Sequence, residues 1–345
     1  MAFPVGSSFS AVTIDNTKVS GSANLTDFPV LILGSNIPSS VYSAMQGDGD
    51  DIRFTTDEAG TTEIAFEIVS LDAGAETGEI WVKIPTLDYN DDTVIYIWYG
   101  DASLSAYATT DTYGAENVWS GFQAVSHLEA DTTDSKGAFD GTNNSVTFAS
   151  GKIGDDGVFS SAYVEYSNTL KRIGNTNCAI SLWFKTSSSA QQFLYGEGNT
   201  ANANSLLQFY ISGGVVNFGV RNDAGSSGAI TATQSGLDDG AWHHAYFTKG
   251  TTDYKTYVDG ATNGSATITQ VPTINRSAFA TLPRSSEGIF LAGSAGEFRF
   301  KDDIPTDAWI VTEFNNQGTP STFLTIAEAV ATGNKGSLSL LGVGF

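Results

Sequence analysis

The sequence predicts an all-β chain of two β-sandwich modules, with one short helix near the C-terminus. Three observations predict it. Short runs of alternating or continuously apolar, β-branched and aromatic residues recur along most of the 345 residues, separated by Gly-, Asp- and Asn-bearing turns. Only 16% of residues are charged while 41% are hydrophobic, a balance that suits many short strands better than long solvated helices. The length is about that of two ordinary domains.

The hairpin from Ala241 to Gly260 is the clearest element. Trp242, His244 and Tyr246 fall on one face of its first strand, and His243, Ala245 and Phe247 on the other. Lys249 to Asp253 has turn composition, Tyr254 to Val258 resumes the strand pattern, and Asp259-Gly260 closes it. Upstream, Phe28 to Leu33, Asp51 to Thr55, Ile64 to Val69, Glu79 to Ile84 and Thr93 to Tyr99 read as strands, the last being the most β-prone. Ala179 to Lys185, Ser205 to Ile211, Val215 to Val220, Ile289 to Gly293 and Glu297 to Phe300 continue the series. Pro305 to Asn316 is the helix: Pro305 suits a first turn, Trp309, Ile310 and Phe314 share a face, and Gly318 and Pro320 end it.

Two resemblances organise these strands. LTDFPVLI (Leu25 to Ile32), GDDIRFTT (Gly49 to Thr56), EIWVKIP (Glu79 to Pro85) and IYIWYGD (Ile95 to Asp101) resemble a β-domain of unknown function that precedes laminin-G-like modules in microbial and phage surface proteins. ENVWSGFQAVSHLEADTTDSKGAFDG (Glu116 to Gly141), FASGKIGDDGVFSSAYVEY (Phe148 to Tyr166) and the Trp-His-His hairpin are similar to the laminin-G-like, concanavalin-like jelly roll, and WIVTEFNNQGTPSTF (Trp309 to Phe323) resembles the terminal motif of the two-module family. The resemblance implies a first module over residues 1–115, a second over 116–326 and a tail over 327–345. It also implies a C-terminus that returns to pack on the sandwich, and a role in binding glycans or proteins. The tail is read either as a loose end or as a strand for a neighbouring subunit.

Charge narrows the partners. With 16 basic against 38 acidic side chains, the formal charge is -22, which disfavours a phosphate backbone, so no nucleic acid is expected. No window has the ~18 apolar residues of a membrane span. The single cysteine, Cys178, permits no intrachain disulfide, and the N-terminal stretch lacks signal-peptide character. The expectation from these features is a chain folded in a host cytoplasm and released by lysis. That makes it a virion structural protein of a phage-like particle (capsid decoration, tail or fibre), with other virion proteins, further copies of itself and host surface glycans as partners. The alternative is a microbial cell-surface adhesin or carbohydrate-binding module.

Catalysis finds little support. His243 and His244, being adjacent on a strand, point to opposite faces and do not chelate one metal together. Retaining glycosidases of the concanavalin type carry Glu-x-Asp-x-Glu, whereas Glu129-Ala130-Asp131 is followed by Thr133 in place of the third carboxylate. No catalytic residue is assigned. Acidic doublets in turns offer hard oxygen ligands; Asp155, Asp156, Asp238 and Asp239 are the Ca²⁺ candidates, with solvated turn carboxylates as the alternative. For sugar stacking the candidates are Trp119, Tyr163, Tyr195 and Tyr210, against the alternative that each is a core strand residue. The polar stretches Thr186 to Ala203 and Asn222 to Gly240 are expected as rim loops.

Overall fold

A computed structural model describes residues 7–166 and 177–329. Strands dominate, and the helices are short apart from Asp307–Gly318. The expected hairpin is present as Trp242–Lys249 and Asp253–Val258, paired antiparallel with Ala245 opposite Val258. Its alternation holds: Ala245 and Phe247 enter the sandwich core, while His244 and Tyr246 turn to the outer face. Thr93–Tyr99 forms a strand over the expected residues. The two runs expected around residues 289–300 form one strand, Ala292–Lys301.

In the N-terminal part, a five-stranded sheet packs against a three-stranded one. The smaller is ordered Leu25–Leu33, Thr77–Leu87, Phe66–Asp72, so the 11-residue middle strand is paired on both edges. Val30, Leu31, Ile32, Ile80, Trp81 and Val82 are fully buried; each large apolar side chain so buried contributes about 1.5–3 kcal/mol. This core does not end near residue 115. Val118, Trp119, Phe122 and Val125 belong to it, as do Trp309, Phe323 and Leu324.

The jelly roll follows. Its eight-stranded sheet runs Thr147–Ser150, Asp155–Ser160, Ala292–Lys301, Cys178–Thr186, Trp242–Lys249, Asp253–Val258, Ala261–Thr267, with Phe122–Ser126 also pairing Ala292–Lys301. The seven-stranded sheet runs Ser227–Ala229, Val215–Arg221, Leu206–Ser212, Gln192–Gly198, Arg276–Phe279, Tyr163–Tyr166, Thr142–Asn144. Phe209, Phe218 and Phe247 stack between the two sheets, with the Phe218 and Phe247 ring centroids 3.8 Å apart. The stretch Thr186 to Ala203, expected as a rim loop, instead contains the buried strand Gln192–Gly198. Phe193, Leu194 and Tyr195 give it a packed, aromatic centre that overrides the polar flanks.

The chain end ties the two parts together. Thr306 caps the helix Asp307–Gly318 through its side chain, one residue beyond the expected Pro305. Asn316 lies buried on this helix and accepts from the Leu31 amide (2.8 Å) while donating to the Leu31 carbonyl (3.2 Å). It thereby occupies backbone groups that an edge strand would leave open. Leu324–Ile326 then pairs with Ser8–Ile14, placing Ile326 opposite Val12. The expected return of the C-terminus is present up to residue 329; the end of the tail, Gly336 to Phe345, lies outside the described residues. No helix among the described residues is long and apolar enough to cross a membrane.

Candidate functional site

The two outer faces of the jelly roll are chemically unlike. The eight-stranded sheet is covered. Alternation puts Phe298 and Phe300 into the sandwich and sends Glu297 and Arg299 outward, into contact with the N-terminal module. There the Glu297 carboxylate accepts from His127 Nδ1 (2.7 Å) and from Arg299 Nη2 (2.6 Å). Glu67 receives the other imidazole nitrogen at 3.3 Å, and Glu79 accepts from the indole Nε1 of Trp81 at 2.7 Å. The Arg299 guanidinium lies 4.1 Å from the Trp81 ring centre and 4.8 Å from that of Trp119. Two of the strands place their charge by alternation, Glu79-x-Trp81 and Glu297-x-Arg299.

Burial sets the charge states. It opposes ionisation of Glu297, but His127 and Arg299 outweigh it and hold that carboxyl down to about 2. Burial likewise opposes a charged His127, and Glu297 with Glu67 outweighs it, keeping the imidazole well above its ordinary value. Glu79 goes the other way, raised by burial and by the Glu297 charge. The result is two carboxylates, two cations and a neutral acid, a balanced set sealed between the modules.

The donor atoms of Glu79, His127 and Glu297 lie within 4.8 Å of one another, close enough to share a metal. Their oxygen and nitrogen atoms are already engaged by Trp81, Arg299 and each other. Glu79 and Glu297 also have the divided ionisation of a glycosidase acid and nucleophile. Both are 2% exposed, which leaves no room for a sugar between them. Glu129 and Asp131 are spoken for as well: Glu129 accepts from the Asp155 amide, and Asp131 closes a turn on Thr133.

The seven-stranded sheet presents its outer face differently. Register places Tyr210 opposite Asn217 on one side and Phe193 on the other, and Gln208 opposite Gly219. Directly paired residues share a face, so Tyr210, Asn217 and Gln208 stand together on the outside. All three are half-buried, and Tyr210 stacks on Phe193 with the ring planes 25° apart. Gly219 adds no side chain next to Gln208, whose Nε2 would lie 3.4 Å from a Cβ placed there. An aromatic ring flanked by two amides can stack one sugar face and hydrogen-bond its hydroxyls.

The sequence candidates separate on this map. Tyr210 lies on the open face. Tyr163 is on the same sheet but packs beside Phe290 under the segment that follows the short hairpin Leu282 to Gly288. Trp119 and Tyr195 are buried and unable to meet a sugar: Trp119 fills the inter-module core, and Tyr195 donates its hydroxyl inward to Glu197. The calcium candidates do not converge. Asp156 is tucked between Gly151 and Gly296, its carboxyl pushed up to about 8 by burial, while Asp155 is half-buried on the opposite side of its strand. Asp239 accepts from the Ala241 amide and from His243, and Asp238 sits beside Gly214. Among the described residues, none of these four belongs to a group close enough to share a metal. Sequence reasoning missed Gln208, Asn217 and the whole inter-module network. The pattern Glu297-Phe298-Arg299-Phe300, with charges and aromatics on opposite faces of one strand, was the available signal for the network.

Comparison with known proteins agrees with this architecture. Residues 156–311 match the concanavalin A-like lectin/glucanases superfamily, and residues 48–136 match a domain of unknown function (DUF2341). The chain thus carries a concanavalin-like jelly roll preceded by that domain. Solved structures with a similar fold include domain 4 of an extracellular arabinanase from Geobacillus stearothermophilus in complex with arabinotriose. It is 18% identical, covers 56% of this chain and 98% of that one, and has a TM-score of 0.46. The Ruminococcus gnavus IT-sialidase CBM40 (16% identity, 41% and 84% coverage, TM-score 0.37) and the binding domain of Paraclostridial Mosquitocidal Protein 1 (12%, 56% and 52%, 0.46) are others. No curated protein sequence matches the chain.

Proposed function

We propose that this protein is a non-catalytic surface module that holds glycans on the open face of its seven-stranded sheet. The observation that carries the reading is the cross-strand set Tyr210, Asn217 and Gln208 beside Gly219. The match to a lectin-containing superfamily supports it. Of the two settings expected for such a module, we favour a microbial surface adhesin or accessory binding module over a virion component. The match of residues 156–311 to a superfamily of lectins and glucanases supports the carbohydrate-binding setting. A single shallow face gives weak affinity, so many copies on one surface would act through avidity.

A glycan array probed with the wild-type chain and with Tyr210→Ala tests this. Retention of at least one glycan class by the wild type, lost in a variant that remains folded, is the expected result. Release of reducing ends from a retained polysaccharide would replace the reading with a glycan-cleaving enzyme. Retention that survives Tyr210→Ala would move the site elsewhere.

A further inference from the structure

The open face has a charged end. Pairing aligns Arg221, Leu206, Gly198 and Arg276 in one row across four strands, so their side-chain positions share the outer surface. Gly198 in this row is required by a close approach: a Cβ there would sit 1.7 Å from the Pro283 carbonyl oxygen and 3.7 Å from the Arg284 Cα. The missing side chain lets the backbone following Leu282–Pro283 lie on the sheet, which sets Arg284 over the middle of the row, between Arg276 and Arg221.

The three guanidiniums are treated unequally. Arg276 is neutralised, its Nε and Nη2 on Glu165 at 2.6 and 3.0 Å and Nη2 also on Glu287. Arg221 gives its Nε and Nη2 to the backbone carbonyls of Asn204 and Ala203, and among the described residues it has no carboxylate partner. Arg284 makes no side-chain hydrogen bond or ion pair among the described residues, and its Nε is buried without a partner. Burial and the nearby Arg221 charge both push its pKa down, which marks the pair as mutually repelling. In a chain with 38 acidic and 16 basic side chains, two adjacent arginines without a carboxylate are a cost the fold does not offset internally.

We infer that Arg221 and Arg284 form a subsite for the carboxylate of an acidic sugar, a uronate or a sialate, at the end of the Tyr210 platform. A planar guanidinium matches a carboxylate with two parallel N–H donors, and a buried, unpaired Nε is the group such an anion would satisfy. The chain's overall negative charge disfavours anions at a distance. That repulsion is screened beyond about 8 Å at physiological salt, so the local pair decides selectivity. This subsite rests on the proposed glycan-binding face.

The test compares each carboxylated glycan with its neutral counterpart on immobilised wild-type protein: oligogalacturonate against its carboxyl-reduced form, and sialyllactose against lactose. The expected result is at least a tenfold preference for one carboxylated probe, about 1.4 kcal/mol. Which probe is preferred distinguishes uronate from sialate. Arg284→Gln should remove the preference while leaving the neutral counterpart's affinity unchanged and the melting temperature no lower than wild type, and Arg284→Lys should restore only part of the preference. Equal binding of charged and neutral probes, or a preference that survives Arg284→Gln, overturns the subsite and leaves the Tyr210 face standing. Failure of every glycan to bind overturns both.

Discussion

The covered face of the jelly roll and its open face are built from the same alternation and used for opposite ends. On the covered side, outward-pointing Glu297, Arg299, His244 and Tyr246 are sealed by the N-terminal module and by the helix Asp307–Gly318. Much of this chemistry is met inside the protein: Glu297 accepts from His127 and Arg299, His127 also reaches Glu67, and Glu313 on the helix accepts from Ser181, while His244 Nε2 and Arg299 Nη1 approach Glu313 only at 3.6 and 3.8 Å. On the other side, Tyr210, Asn217, Gln208, Arg221 and Arg284 are half-buried, and the Arg284 Nε has no hydrogen-bond partner among the described residues. A polar group on the first face stabilises when paired and is costly when orphaned. On the second, a spare donor is available to something outside the chain.

The contrast is broken most severely at His127. His127→Ala removes the cation between Glu67 and Glu297 and leaves two carboxylates buried and facing each other. A loss of about 3–5 kcal/mol in urea unfolding is expected, as for other buried pairs deprived of one partner. A loss below about 1 kcal/mol would show that the inter-module network contributes little. Asn316→Ala comes next. It strands the Leu31 amide and carbonyl at a sealed edge, for about 1–3 kcal/mol, and a variant as stable as wild type would mean that water replaces the side chain there.

The pH profile sharpens the same comparison. Glu297 titrates in the fold near 2, below its unfolded value near 4.5, so its contribution is complete above that value and is lost as pH falls from 4.5 towards 2. His127 is raised, so its contribution is complete below about 6.5 and is lost as pH rises through its higher folded value. Glu79 and Asp156 are raised carboxyls that retain protons in the fold, so each lowers stability as pH climbs above its unfolded value, Asp156 up to about 8. Melting curves should therefore show a maximum in the mildly acidic range. In His127→Ala the acid limb should shrink, because Glu297 has lost its principal partner; an unchanged profile would remove His127 from the network.

The smallest stability effect belongs to the open face. Tyr210→Ala gives up a half-buried ring on Phe193 and should cost about 0.5–1.5 kcal/mol, while abolishing glycan retention. A variant that unfolds outright would place Tyr210 with the structural residues of the covered side.

How much of this was legible can be judged from particular residues. Thr93 to Tyr99, the 242–258 hairpin and the C-terminal helix were readable because period-2 alternation, turn residues and caps act over a few neighbouring positions. Trp119 and Tyr195 show the limit. An aromatic on a strand looks the same in sequence whether its face is open or sealed, and only the module packed against Trp119 and the inward turn of Tyr195 decided for burial. Glu79, His127 and Glu297 are separated by 48 and 170 residues, so no local pattern announces that they meet.

The sequence by itself therefore determined the all-β class, the order of most strands and the orientation of alternate side chains along them. Tertiary structure alone decided which face of each sheet is covered. It set the charge of Glu79 against that of Glu297, and it brought Arg284 over Gly198 beside Arg221. The reason is physical: periodicity is a property of neighbouring residues, whereas burial and electrostatic pairing depend on segments that the chain brings together from hundreds of residues away.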